Sequence, residues 1–113
     1  MSKASTAIAS LNDVFRKSLF DRSLGKTYMT SGVSAFGSLF VARALSAVAA
    51  FDTFSADNDP YGEHDFGSFK LDSEKLFWKI DYYSNDDPNL GSEDPSDPLK
   101  TTRVLTIMLA EEY

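Results

Sequence analysis

Apolar residues recur at intervals of three and four positions in two stretches of the N-terminal half, which is the spacing of one helix face. The first stretch follows a capping residue at Ser5 or Thr6 and predicts about four helical turns. The second predicts a helix from Ser38 to about Phe54, so rich in apolar residues that we expect other elements to cover most of it. The periodic positions of the first helix are Ile8, Leu11, Phe15 and Leu19.

Alternation of apolar and polar residues predicts the strands. A Tyr- and Thr-rich segment at 26–33 is expected to form a first strand that Gly32 ends or bends, and segments 68–71 and 76–83 form a hairpin about a turn at 72–75. Segment 101–110 is apolar on both faces, which indicates a central, doubly covered strand. The predicted fold is α+β, with two helices on a small antiparallel sheet of three to four strands in the order α-β-α-β-β-β.

Size and composition narrow the class of protein. The 113 residues, with 42% hydrophobic and 13% aromatic residues, predict one domain spanning 1–113. The absence of cysteine excludes disulfides, thiol nucleophiles and thiolate zinc sites. No signal peptide and no membrane span is recognised, so the expectation is a cytoplasmic protein with no membrane partner.

The net charge of −6 is the sum of two halves of the chain that carry opposite net charges. Residues 1–51 carry six bases and two acids, or +4, whereas residues 52–113 carry five bases and fifteen acids, or −10. Phosphate contacts require Lys and Arg, so direct binding of nucleic acid through the acidic half is disfavoured. The expected partner is a basic protein or nucleoprotein surface.

Much of this acidity falls in the segment 84–99, which contains three of the four prolines and no base. Proline excludes a regular helix or strand, and a loop this long is usually functional or mobile. The simpler interpretation is a flexible, solvated connection. The sharper one is a partner-binding loop that mimics the nucleic-acid backbone with the carboxylates of Asp86, Asp87, Glu93, Asp94 and Asp97.

A second acidic cluster surrounds the only histidine. Its possible metal ligands are Asp57, Asp59, Glu63 and His64. The calcium-loop pattern fails because Ser68 stands where a bidentate Glu is required, and zinc generally needs more than one His or Cys. The simpler interpretation is a structural loop in which Asp57 or Asn58 accepts backbone hydrogen bonds and His64 holds the entry to the hairpin. The sequence Asp-Pro-Tyr-Gly at 59–62 predicts a β-turn within it.

The alternative interpretation of this cluster is a catalytic site. Its candidates are His64 and Asp65, with Lys79 and Asp81 completing a pocket from one strand face. Against it, no nucleophile elbow and no phosphate-binding Gly loop is present, and a Lys79–Asp81 pair more often forms a surface ion pair. No cofactor is expected, and we lean towards a protein that is not an enzyme.

Several blocks resemble a known family. They are MTSGV at 29–33, DNDPYGEHDFG at 57–67, FWKIDYY at 77–83 and TRVLTIMLAEEY at 102–113. Together they resemble the domain-of-unknown-function family 3768, a family of small bacterial proteins. The resemblance implies no activity, cofactor or catalytic residue.

Two functional hypotheses follow. The first is a non-enzymatic interaction protein that engages a basic surface, for example an inhibitor of a nucleic-acid-processing or defence system of the anti-CRISPR or anti-restriction type. The second is a small hydrolase-like or metal-binding protein that uses Glu63, His64 and Asp65. A homo-oligomer or structural subunit, with the second helix as an interface, is left open.

Overall fold

In the computed structural model, which describes residues 2–113, the helices pack against one face of a four-stranded sheet. This confirms the α+β prediction. The strands lie in the order β1-β4-β3-β2, so β4 is central, as its two apolar faces predict. In chain order the elements are α1 (Lys3–Arg16), β1 (Lys26–Met29), the one-turn helix α2 (Ser31–Ser34), α3 (Ser38–Ala50), β2 (Phe66–Leu71), β3 (Glu74–Ser84), β4 (Thr101–Leu109) and a 3-10 turn (Ala110–Glu112).

Helix α1 has the predicted length of about four turns but begins earlier. Ser2 is the N-cap, because its hydroxyl accepts a hydrogen bond from the backbone N–H of Ser5 at 3.0 Å. The predicted cap at Ser5 or Thr6 is therefore wrong. Leu19 lies beyond the end of the helix at Arg16, in the turns that lead to β1.

Strand β1 is shorter than predicted because Thr30 caps α2. The Thr30 hydroxyl accepts a hydrogen bond from the N–H of Val33 at 3.4 Å and donates one to the carboxylate of Glu112 at 2.6 Å. Strand β1 runs parallel to β4, whereas the other pairs are antiparallel. The sheet is thus mixed rather than purely antiparallel.

Helix α3 ends at Ala50, four residues before the predicted end at Phe54. It begins after Gly37, whose φ of 96° favours glycine. The expectation that α3 is largely covered is only partly right. Phe40, Ala44 and Val48 are buried in the core, whereas Leu39 is 74% exposed.

The hairpin of β2 and β3 turns on Asp72 and Ser73, which both have positive φ, as in the type I′ turns that match sheet twist. Its inward side chains and those of β4 form the core with the helices. As predicted for the apolar face of β3, Trp78 is fully buried. The core residues are Phe15, Val33, Phe40, Ala44, Val48, Leu76, Trp78, Ile80, Leu105, Ile107 and Leu109.

The sheet surface that points away from the helices is called the open face below. On this side Val104 and Thr106 of β4 are only partly buried, whereas Met108 is buried, so β4 is doubly covered only near its C-terminal end and not throughout as predicted. No helix within residues 2–113 is long and apolar enough to cross a bilayer. The strand positions on the open face are Lys26, Tyr28, Phe66, Ser68, Lys70, Lys75, Phe77, Lys79, Asp81, Tyr83, Thr102, Val104, Thr106 and Met108.

Candidate functional site

The turn at 59–62 folds the Asp59 carboxylate back onto the chain that follows it. The N–H of Gly62 donates to the carbonyl of Asp59 at 3.1 Å, which confirms the predicted β-turn. Asp59 Oδ1 accepts hydrogen bonds from the backbone N–H groups of Glu63 at 3.0 Å and His64 at 3.2 Å. Because Asp59 is also buried, these hydrogen bonds are shielded from water and its carboxylate stabilises the turn.

His64 lies between two carboxylates. Its Nδ1 is 2.9 Å from Asp13 Oδ1, and its Nε2 is 3.7 Å from Asp59 Oδ2. The imidazole stacks on the ring of Phe54, with 4.0 Å between ring centroids and 2° between planes. The φ of His64 is 57°, a strained value for a residue with a side chain, and these contacts hold it there.

Arg16 is the buried cation of this region. Its Nη1 donates to the carbonyls of Val48 at 2.9 Å and Phe51 at 2.8 Å, which satisfies the C-terminal end of α3. Its Nη2 donates to Asp13 Oδ1 at 2.7 Å, and the guanidinium lies over Phe54. Burial opposes ionisation of Asp13, but hydrogen bonds from Arg16 and His64 outweigh it, so the pKa of Asp13 is lowered.

A second network joins α1, β3, β4 and the loop after β3. Asn12 Nδ2 donates to the Tyr82 hydroxyl and to the carbonyl of Glu63, both at 2.9 Å. The Tyr82 hydroxyl donates to Glu63 Oε1 at 3.0 Å. Arg103 Nε donates to Asn12 Oδ1 at 2.7 Å, and its Nη2 donates to the carbonyl of Pro95. The network therefore fixes several elements against each other.

Burial determines the ionisation of this network. Desolvation, reinforced by the charges of Asp65 and Glu63, raises the pKa of Tyr82 far above its usual range, so its hydroxyl remains a donor. Desolvation lowers the pKa of Arg103. Burial together with the neighbouring Glu63 carboxylate raises the pKa of Asp65 to about 6, which places its titration close to neutral pH.

Lys79 and Asp81 do not complete a pocket with His64, so this part of the catalytic hypothesis is wrong. Successive strand residues point to opposite faces, and both side chains lie on the open face. There Lys79 Nζ is 3.0 Å from Asp81 Oδ2 in a partly exposed ion pair. His64, in contrast, contacts Asp13 of α1 on the side of the helices.

The candidate metal ligands are not arranged around a common point. Asp57 is exposed and forms no side-chain hydrogen bond with residues 2–113, whereas Asp59 is occupied by backbone N–H groups. Within the described part of the chain, no group of three or more His, Asp or Glu residues could hold a metal ion. The contacts of His64 with Asp13 and Phe54 hold the chain after the turn at 59–62 in place, which is a structural role.

The loop at 84–99 is closed by its own backbone hydrogen bonds. Near its start, the N–H of Ser84 donates to the carbonyl of Leu90 at 2.8 Å, and Ser92 donates to Tyr82 at 3.0 Å. Asn85 donates to the carbonyl of Lys100 at 3.1 Å, which joins the two ends of the loop. These bonds give the acidic segment a defined shape.

The five loop carboxylates divide into two groups. Asp87, Asp94 and Asp97 each accept a hydrogen bond from a backbone N–H two residues later, at 2.9 to 3.1 Å, as in Asx turns. Hydrogen bonds from Ser96 lower the pKa of Asp94. Asp86 and Glu93 are exposed, and their carboxylates form no hydrogen bond with residues 2–113.

Sequence analysis missed Asn12, Arg16, Tyr82 and Arg103, which carry the buried networks. Arg103 has a recognisable signal, because it is the one charged residue in β4 and shares the inward phase of Leu105. Arg16 stands in the last turn of α1, where a cation already suits the dipole of its own helix. Nothing local indicates that it satisfies a different helix.

The match with a family model covers most of the molecule. Residues 29–112 match the family described as protein of unknown function DUF3768. The chain belongs to this family. The matched range includes the turn, the hairpin, the acidic loop and β4, whereas Asn12, Asp13 and Arg16 lie before it. No curated protein and no solved structure matches the chain.

Proposed function

We propose that this DUF3768 protein is a small, non-enzymatic binding protein that engages a basic protein or nucleoprotein surface through its acidic loop at 84–99. The observation that carries the proposal is the shape of this loop. Hydrogen bonds between backbone groups close it, and three of its carboxylates stabilise its turns. A preformed loop loses less conformational entropy on binding than a flexible one.

The charge of the loop supports this choice of partner. It contains five acids and no base, and the neighbouring cations Lys100 and Arg103 offset only part of that charge. Asp86 and Glu93 are exposed and can accept hydrogen bonds from Arg or Lys of a partner. Leu90 and Leu99 are 59% and 85% exposed and add apolar contact area on the same loop.

The finer form of the proposal is an inhibitor of a nucleic-acid-processing or defence system, of the anti-CRISPR or anti-restriction type, acting in the cytoplasm. Carboxylates along a shaped loop can occupy Arg and Lys sites that otherwise hold phosphates. The test measures DNA cleavage by a panel of restriction endonucleases and CRISPR effector nucleases, with and without the protein. Inhibition that disappears when the loop charges are neutralised supports it, and full cleavage throughout at saturating protein contradicts it.

The coarser proposal is tested with immobilised protein and a bacterial lysate at about 50 and 300 mM salt. A partner captured through the loop is eluted by salt, and the purified partner then binds the double variant Asp86→Asn, Glu93→Gln at least tenfold more weakly. The matched control is Asp52→Asn, Asp57→Asn, which removes two exposed acids outside the loop. Equal loss in both variants would exclude the loop as the binding site.

A second candidate is a hydrolase-like centre at Glu63, His64 and Asp65. It is favoured by the 2.9 Å hydrogen bond between His64 and Asp13 and by the raised pKa of Asp65. Hydrolysis of activated esters that is lost in His64→Asn, with the fold intact by circular dichroism, would support it. Unchanged hydrolysis in this variant would contradict it.

A further inference from the structure

The open face of the sheet has the opposite charge to the rest of the molecule. Its strand positions carry four lysines and one aspartate, a net +3, although the whole chain carries −6. The aspartate, Asp81, is already paired with Lys79 at 3.0 Å. Folding therefore gathers a basic surface that the order of charges along the chain does not reveal.

Two of these lysines are placed against each other. Lys70 and Lys75 are directly opposite on β2 and β3, both exposed, and neither forms a salt bridge with residues 2–113. Like charges in this position destabilise a sheet. A bound anion would remove the repulsion, so the pair indicates a site for negative charge.

Aromatic side chains lie beside the lysines. Phe66, Phe77 and Tyr113 pack together, with 5.2 to 5.8 Å between ring centroids. Tyr113 is 74% exposed, and Lys75 Nζ lies 5.4 Å from the centroid of Phe77. This end of the open face thus offers an exposed ring next to two cations.

A second pair of rings lies at the other end of the open face. Tyr28, which is 54% exposed, and Tyr83 line a cavity of about 400 Å³ together with Lys26. Phe77 and Tyr83 are six residues apart on β3, or about 20 Å at the usual strand rise. The two aromatic sites can therefore be reached by one extended chain.

We propose that the open face binds single-stranded nucleic acid. Unpaired bases stack on the exposed tyrosines, and phosphates contact the lysines, chiefly Lys70 and Lys75, because the acidic loop borders the cavity at the other end. Alternating rings and cations favour this partner over an acidic protein segment, whose carboxylates would leave the rings unused. The site goes beyond the proposed function and uses none of the loop carboxylates.

The test is fluorescence anisotropy at about 50 mM salt with labelled single-stranded oligothymidylate, its ribose counterpart and a duplex of equal length. Stacking predicts that both single strands bind more tightly than the duplex, although the duplex has the higher charge density. Absence of binding, or a duplex that binds at least as tightly, would refute the proposal. Polyglutamate that binds as tightly as the single strands would refute it as well.

Two matched pairs of variants locate the site. Lys70→Gln with Lys75→Gln is expected to lower the salt slope of log K by about 1.4, or 0.7 for each lost phosphate contact. Lys3→Gln with Lys17→Gln removes the same charge at the two ends of α1, on the helical side, and is expected to leave the slope unchanged. Tyr113→Ala is expected to weaken binding five- to tenfold, whereas Tyr61→Ala, at a ring that is 75% exposed in the turn at 59–62, does not. Equal effects within either pair would exclude the open face.

Discussion

Two acidic segments flank the hairpin, and the fold uses them in opposite ways. At 57–65 the carboxylates of Asp59 and Glu63 point inward and are hydrogen-bonded to backbone N–H groups and to Tyr82. At 84–99 the carboxylates bond only within the loop or remain exposed. Other elements also bond the first segment: β3 supplies Tyr82 to the Glu63 carboxylate, and α1 bonds Glu63 and His64 through Asn12 and Asp13. Among residues 2–113, the carboxylates of the second segment have no hydrogen-bond partner outside their loop, so only the first segment is structural in this sense. Acidic composition alone therefore does not identify a binding site.

The largest effect is expected where α1 supports the inward segment. Arg16→Met leaves the carbonyls at the C-terminal end of α3 without this donor and Asp13 with His64 as its remaining partner, so we expect a loss of about 3 kcal/mol in the free energy of unfolding. Chemical denaturation measures this change. Arg22→Met, at an exposed site, is the control and should stay within about 0.5 kcal/mol. Similar small losses in both variants would contradict the structural role of Arg16.

A direct comparison of the two segments uses one aspartate from each. Asp59→Ala removes a buried acceptor of two backbone N–H groups, so we expect a loss of about 2 kcal/mol in stability. Asp87→Ala removes an acceptor in the loop and should cost less than 1 kcal/mol. Denaturant midpoints of the two variants provide the measurement. Equal costs would mean that the segments do not differ as described.

The pH dependence of stability distinguishes the segments further. The pKa of Asp65 rises from 3.8 to about 6 on folding, so stability falls as pH rises from about 4 to about 6, and the loss is complete above that range. For a fully buried group, a pKa rise of this size would lower the free energy of unfolding by about 3 kcal/mol. Solvent screening reduces this decrease to about 1 kcal/mol here. Asp65→Asn should therefore stabilise the protein by about 1 kcal/mol at pH 8 and leave it unchanged at pH 4. Stability curves of both proteins that stay parallel from pH 4 to 8 would contradict this.

The smallest effect on stability is expected in the loop. Asp86→Asn with Glu93→Gln removes two carboxylates that form no hydrogen bond with residues 2–113, so the free energy of unfolding should change by less than about 0.5 kcal/mol. Thermal and chemical denaturation provide the measurement. A larger loss would show that these carboxylates have structural partners after all.

Much of the fold follows from local patterns. Periodicity identifies α1, α3, the hairpin and the central position of β4, and Asp-Pro-Tyr-Gly identifies the turn at 59–62. The parallel pairing of β1 with β4 is not predictable in this way, because it joins segments that are far apart in the chain. The short helix α2 was missed because a single hydroxyl, that of Thr30, ends the strand before it.

The site is less predictable than the fold. Both acidic segments stand out in the sequence, but their roles depend on Asn12, Arg16 and Arg103, whose long-range hydrogen bonds join residues 32 to 91 positions apart. The positive open face arises because alternate residues of four strands share a surface. No single segment contains that pattern.

We propose that the acidic loop, and not the cluster around His64, is the binding site. The most direct measurement compares the affinity of the purified basic partner for three proteins at low salt: the unmodified chain, Asp86→Asn with Glu93→Gln, and His64→Asn. We predict at least a tenfold loss for the loop variant and no change for His64→Asn. A loss confined to His64→Asn, in protein that remains folded, would contradict the account.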